Sequence, residues 1–152
     1  MKNIRHPLFA KFILNSNKIY WFFFRPKSQG VKVVLKTPEE KFLLVRLTYY
    51  PNNWTFPGGG VLRGENIQTA AQRELKEETG VALAKDSIFY LGNMLFNHEY
   101  KKDTLHIYKA VSREIPPIVD GKEVAEAKWF LKNEFPAMGQ NAKKIFDFYE
   151  NH

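Results

Sequence analysis

The chain of 152 residues carries 23 Lys+Arg against 16 Asp+Glu, no cysteine, and 44% hydrophobic residues. That composition suits one domain with its own core and excludes a disordered chain, a disulfide scaffold and thiolate metal sites. The positive excess is local: Lys2, Arg5, Lys11, Lys18, Arg25, Lys27, Lys32 and Lys36 all precede Glu39, the first acidic residue, and the remainder is close to neutral.

The first segment is apolar from Leu8 to Phe24 but interrupted by Lys11 and by Asn15-Ser16-Asn17-Lys18. No run reaches the roughly 18 apolar residues of a membrane span, and no small-residue cleavage site follows, so a soluble cytoplasmic protein is expected. At 100° per residue Lys11, Asn15, Lys18 and Arg25 form one stripe opposite Leu8, Phe12, Ile19 and Phe23. That spacing predicts an amphipathic helix from Pro7 to Phe24, ended before Pro26, with a strand over Ile19–Phe24 as the competing reading. Its aromatic face is expected against the chain's own sheet or in a homodimer; peripheral contact with an anionic membrane surface is the alternative. Eight dispersed charges without a base-reading motif predict no specific nucleic-acid binding.

Shorter patterns follow. Val31–Leu35 reads as a strand, Thr37–Glu40 as a turn and Phe42–Leu47 as the antiparallel partner. Pro51-Asn52-Asn53 and Pro57-Gly58-Gly59-Gly60 break the chain. Glu65–Thr79 is a predicted helix with Ile67, Ala70, Ala71, Leu75 and Thr79 on one face and Gly80 as its stop. Ile88–Phe96, Thr104–Val111 and Ala127–Leu131 read as strands, and Gln140–Tyr149 as a terminal helix with Ile145 and Phe148 or Tyr149 inward. The organisation expected is one mixed α/β domain over 29–152 behind a basic, aromatic extension over 1–28.

The chemistry concentrates between Gly59 and Val81. Glu74, Glu77 and Glu78 stand at i, i+3 and i+4, which stacks three carboxylates along one helical face. Like charges at that spacing repel, and hard oxygen donors that converge suit Mg²⁺ or Mn²⁺. Arg73 reaches Glu77 at i+4, and the glycine run lets the backbone approach a ligand and offer a carbonyl. A solvated Glu-rich face is the plainer reading of a lone pair of glutamates. Here, seven specified residues and two aliphatic positions coincide, which chance produces in ~10⁻⁹ of windows.

This stretch resembles a complete Nudix box, with glycine at 59, glutamate at 65, Arg73-Glu74-Leu75, Glu77-Glu78 and Gly80-Val81 all in register. Trp54–Gly59 before it and Glu126–Phe130 after it are also similar to the family. The resemblance implies an α/β/α sandwich around a mixed sheet and Mg²⁺-dependent hydrolysis of a nucleoside diphosphate linked to another moiety. A nucleoside triphosphate is the first expectation, a nucleoside diphosphate sugar the second, and capped or triphosphorylated RNA the third. A module that senses nucleotides without hydrolysing them is the rival from another class. By resemblance the metal ligands are Glu74 and Glu78 with Glu77 and the Gly58 carbonyl, while Arg73 orients the glutamates. Glu65 fixes the loop at the helix start, and the proton acceptor is Glu74 or Glu123. Arg46, Asn53, Trp54 and Gly59 are the expected substrate contacts. His98 and His106, in strand-like stretches, read as solvent-facing or core histidines.

Overall fold

The computed structural model describes residues 27–98, 101–119 and 121–152. The helix expected over Pro7–Phe24 and the alternative strand therefore lie outside the described residues.

Alternating apolar residues give β1 (Lys27–Lys36) and β2 (Lys41–Leu47), joined by a turn in which the Glu40 amide donates to Thr37 O at 3.0 Å and the Thr37 amide to Lys41 O at 2.8 Å. The strands meet antiparallel at Lys36 opposite Phe42. Farther along, β1 receives the glycine segment instead: the Val33 amide bonds Pro57 O and the Val31 amide bonds Gly59 O, both at 2.9 Å. Short β3 (Trp54–Thr55) pairs with β2, so this segment sits between the two strands it connects to. β4 (Ile88–His98) and β5 (Lys101–Val111) form an antiparallel pair, and β5 lies parallel to β1 over Lys27–Lys36. β6 (Val124–Leu131) pairs antiparallel with β2, giving a mixed six-stranded sheet.

Helix α1 (Ile67–Thr79) begins two residues later than its pattern suggests, because Asn66 caps it: the Asn66 side chain accepts the Gln68 amide at 2.9 Å. Gly80, at φ 72°, ends it in the left-handed conformation that glycine adopts without strain. Ala70, Ala71 and Leu75 are buried against Val31, Val33 and Leu35 on one face of the sheet. Helix α2 (Gln140–Glu150) covers the other face, where Ile145 and Phe146 pack on Val34, Phe42, Leu44 and Phe56. The inward residues of α2 are thus Ala142, Ile145 and Phe146, with Phe148 and Tyr149 only half-buried. The predicted short strand over Ala127–Leu131 starts three residues earlier, because Val124 is buried opposite Leu47. Lys27 and Ser28, assigned to the extension from sequence, are the first residues of β1. Among the described residues no helix is long and apolar enough to cross a membrane.

Candidate active site

The stitching of the glycine segment onto β1 brings α1 and the sheet to one point. Gly58 takes φ 135°, and a Cβ there would lie 2.2 Å from Val31 O, so only glycine permits this approach. Its two polar groups face opposite charges: the amide donates to Glu78 Oε2 at 2.7 Å, and the carbonyl accepts from Lys32 Nζ at 2.6 Å. Lys32 also donates to Phe56 O at 2.8 Å. Gly59 makes room for Glu74, since a Cβ at 59 would sit 2.6 Å from Glu74 Oε2.

The three glutamates of the box that lie on α1 are not equivalent. Glu78 is 7% exposed, while the Glu77 side chain is 60% exposed and turned to Arg73. Glu77, predicted as a metal ligand, shares Arg73 Nη1 with Glu74 and lies far more exposed than Glu78. Arg73 is fully engaged: Nε bonds Glu65 at 2.8 Å, Nη1 bonds Glu74 at 2.7 Å and Glu77 at 3.1 Å, and Nη2 bonds Gly60 O and Glu65, each at 2.9 Å. Glu65 also accepts the Leu62 amide at 2.9 Å, and these bonds, Arg73 first, hold its carboxyl down at about 2. The loop that precedes α1 is thus tied to the same guanidinium as the glutamates.

Burial pushes the Glu78 carboxyl up to about 7, and nearby Glu74 and Glu123 add to that, against the pull of Lys32 and the Gly58 amide. Burial in turn lowers the Lys32 ammonium, against the attraction of Glu78, Glu74 and Glu123. These couplings bring Glu123, which is exposed just ahead of β6, into the same electrostatic cluster. The Thr48 amide bonds Glu123 O at 2.9 Å and joins its loop to the β2–β3 connection. Tyr49, on that connection, has its hydroxyl pKa raised by burial and by Glu123, Glu78 and Glu74.

The donor set consists of oxygens, with a buried carboxylate crowded by others, which fits a hard divalent cation in chemical kind. Among the described residues no group of three acidic or histidine side chains is already gathered to hold one. Arg73 and Lys32 provide the positive charge beside the glutamates instead.

On the α2 side of the sheet, a cavity of about 690 Å³ opens beside Lys32, Gly59 and Gly60. Asn53, Trp54, Tyr50 and Asn141 contribute to its walls. Trp54 stands edge-on to Phe130 at 5.0 Å while still facing the cavity, so it packs and lines at once. Arg46 is not part of the lining: Nη2 pairs with Glu126 at 2.9 Å and the guanidinium lies 5.9 Å from the Trp54 ring centre. His106 lies away from this cluster, bonded to Tyr90 Oη at 3.1 Å and Gln29 at 3.2 Å. His98 ends β4. Lys32 and Tyr50 escaped the sequence reading; the available signal was a lone lysine inside the otherwise aliphatic Val31–Leu35.

The NUDIX domain family pattern matches residues 26–150. A putative 8-oxo-dGTP diphosphatase of Bacillus subtilis is 30% identical over 125 residues, covering 82% of this chain and 80% of that protein. An m7GpppN-mRNA hydrolase, NUDT17 of Xenopus laevis, is 43% identical over 67 residues, 41% of this chain but only 23% of that protein's length. In fold, the MutT NUDIX hydrolase of Burkholderia pseudomallei superposes with a TM-score of 0.69 at 20% identity, over 80% of this chain and 97% of that one. With a pattern match across nearly all the described residues and a relative aligned along most of its length, the chain belongs to the Nudix family of hydrolases.

Proposed function

We propose that this chain hydrolyses a phosphoanhydride bond of a nucleoside 5′-polyphosphate, with a nucleoside triphosphate as the preferred substrate and Mg²⁺ as cofactor. The observation that carries the reading is the joint: a cavity lined by amide and aromatic side chains opens onto the turn where Glu74 and Glu78 converge. Its volume of about 690 Å³ lies within the size range of small-molecule sites. The names of the relatives, a diphosphatase for a modified nucleoside triphosphate and a hydrolase of an RNA cap, share a nucleoside 5′-polyphosphate as the group acted on.

Glu74 and Glu78 would hold the divalent cation, with Gly58 O adding a donor through the lone pair that Lys32 leaves open. When bound, that cation neutralises phosphate oxygens and acidifies water. Arg73 keeps Glu74 in place and ties it to the loop through Glu65. Tyr50, Asn53 and Trp54 hold the base, and Gly59 gives Glu74 its room. Glu74 and Glu78 are occupied by Arg73 and by the Gly58 amide, whereas Glu123 is exposed and within electrostatic reach of both Lys32 and Glu78. Glu123 therefore takes the proton of the attacking water.

Nucleoside triphosphate turnover with Mg²⁺, measured across pH, tests this. The wild type is expected to turn over with a rate that rises with pH, and Glu123→Gln to flatten that rise. An unchanged profile in Glu123→Gln removes the base. Absence of turnover in the folded wild type with Mg²⁺ or Mn²⁺, alongside nucleotide binding, would favour the sensing module instead.

A further inference from the structure

We propose that Lys32 is the phosphate anchor of the cavity: its ammonium binds the phosphate attached to the nucleoside, without help from a metal ion. This deepens the nucleotide reading above and rests on it. Lys32 lies on β1 between Val31 and Val33, on the face it shares with Val34, and lines the cavity. It is the only cationic side chain among the described lining residues. Glu74 and Glu78 reach the glycine turn from α1 on the opposite face, so a phosphate chain leaving the cavity for the glutamates passes Lys32.

Among the described residues, the two guanidiniums beside the site are paired. Arg73 spends its donors on Glu65, Glu74, Glu77 and Gly60 O, and Arg46 is paired with Glu126. An ammonium has three N–H donors. The carbonyls of Phe56 and Gly58 take two of them at 2.8 and 2.6 Å, and the third has no partner among the described residues. The two carbonyls also fix the side chain, so little rotamer freedom remains to be lost when an anion arrives. Away from bulk water, the attraction between this cation and a phosphate is screened less. Without Lys32, a phosphate at the turn would face Glu74, Glu78 and Glu123 with no compensating charge on the cavity side.

Isothermal titration in EDTA, with the four common nucleosides and their 5′-monophosphates as probes, isolates the phosphate contribution. The wild type is expected to bind a monophosphate about tenfold more tightly than its nucleoside, the worth of one charge-assisted hydrogen bond. Lys32→Met should abolish that ratio while nucleoside affinity stays. Lys32→Gln, which retains a donor for the carbonyls but no charge, should abolish it too, and a thermal melt of each variant reports folding. An unchanged ratio in the folded variants overturns the anchor, including where both affinities fall together, which is the mark of a purely structural lysine. If the wild type binds neither nucleosides nor monophosphates, the nucleotide reading of the cavity falls first and the anchor with it.

Discussion

Glu78→Gln is expected to lower turnover by more than about a hundredfold while making the metal-free protein more stable at pH 8. The two effects have one cause. Glu78 is 7% exposed, in a place that burial and the neighbouring carboxylates make hostile to its charge, so its carboxyl titrates at about 7. A raised carboxyl pKa means that the native state holds a proton the unfolded chain has released. Stability is therefore intact below the ordinary carboxylate value near 4.5 and declines as pH climbs through about 7. The full decline, already net of the Lys32 attraction, is about 3 kcal/mol as an upper figure, and glutamine, an imperfect copy of the protonated carboxyl, recovers about 1–3 kcal/mol of it. Glutamine still accepts the Gly58 amide but cannot serve as an anionic ligand. Melting curves in EDTA should show the variant above wild type at pH 8 and level with it near pH 4. A variant that melts lower at both pH values, or turns over normally with Mg²⁺, would contradict this account of Glu78.

Three consecutive glycines should respond to alanine in three different ways. At Gly58 the new Cβ would stand 2.2 Å from Val31 O and 2.9 Å from Lys32 Cα, with φ at 135°. Both obstacles are backbone, so strain and overlap add to a cost of about 3 kcal/mol or more, a large share of a domain's stability. At Gly59 the obstacle is the Glu74 carboxylate, 2.6 Å away, which a flexible side chain can yield. Gly59→Ala should fold nearly as well as wild type yet lose turnover, because Glu74 leaves the turn. At Gly60 nothing lies within 4 Å, and alanine should be silent in both respects. Thermal melts and turnover on the three variants together read the geometry of the turn. Equal losses at 58 and 60 would show that the backbone approach to β1 is misplaced.

Much of this was legible in the sequence where the information is local. The Thr37–Glu40 turn, the apolar face of α1 and its glycine stop, and the pairing of β1 with β2 follow from residues a few positions apart. The box motif likewise lies within 23 residues, so Glu74, Glu78 and Arg73 are legible without the fold. What escaped depends on distant pairing. Helical spacing places Glu77 and Glu78 side by side, but only the docking of α1 on the sheet decides that Glu78 is buried and Glu77 exposed. Arg46 reads as a substrate contact until β6 brings Glu126 opposite it. Lys32 reads as one of eight early positive charges. Its position beside the glutamates comes from the glycine segment bonding to β1 between the splayed strands, and no periodicity within Val31–Leu35 encodes that. The early basic excess is thus not one feature, since one of its members lines the cavity beside the glycine turn.

In the proposed reaction a nucleoside polyphosphate lies with its nucleoside in the cavity and its phosphates at Glu74 and Glu78. Identification of products by ³¹P NMR, with each common nucleoside triphosphate, a nucleoside diphosphate sugar and a 5′-triphosphorylated RNA as substrates, reports on this placement. Nucleoside monophosphate and pyrophosphate are expected from a triphosphate in the presence of Mg²⁺. Release of nucleoside diphosphate and inorganic phosphate, or no cleavage of any of these substrates by the folded protein, would contradict it.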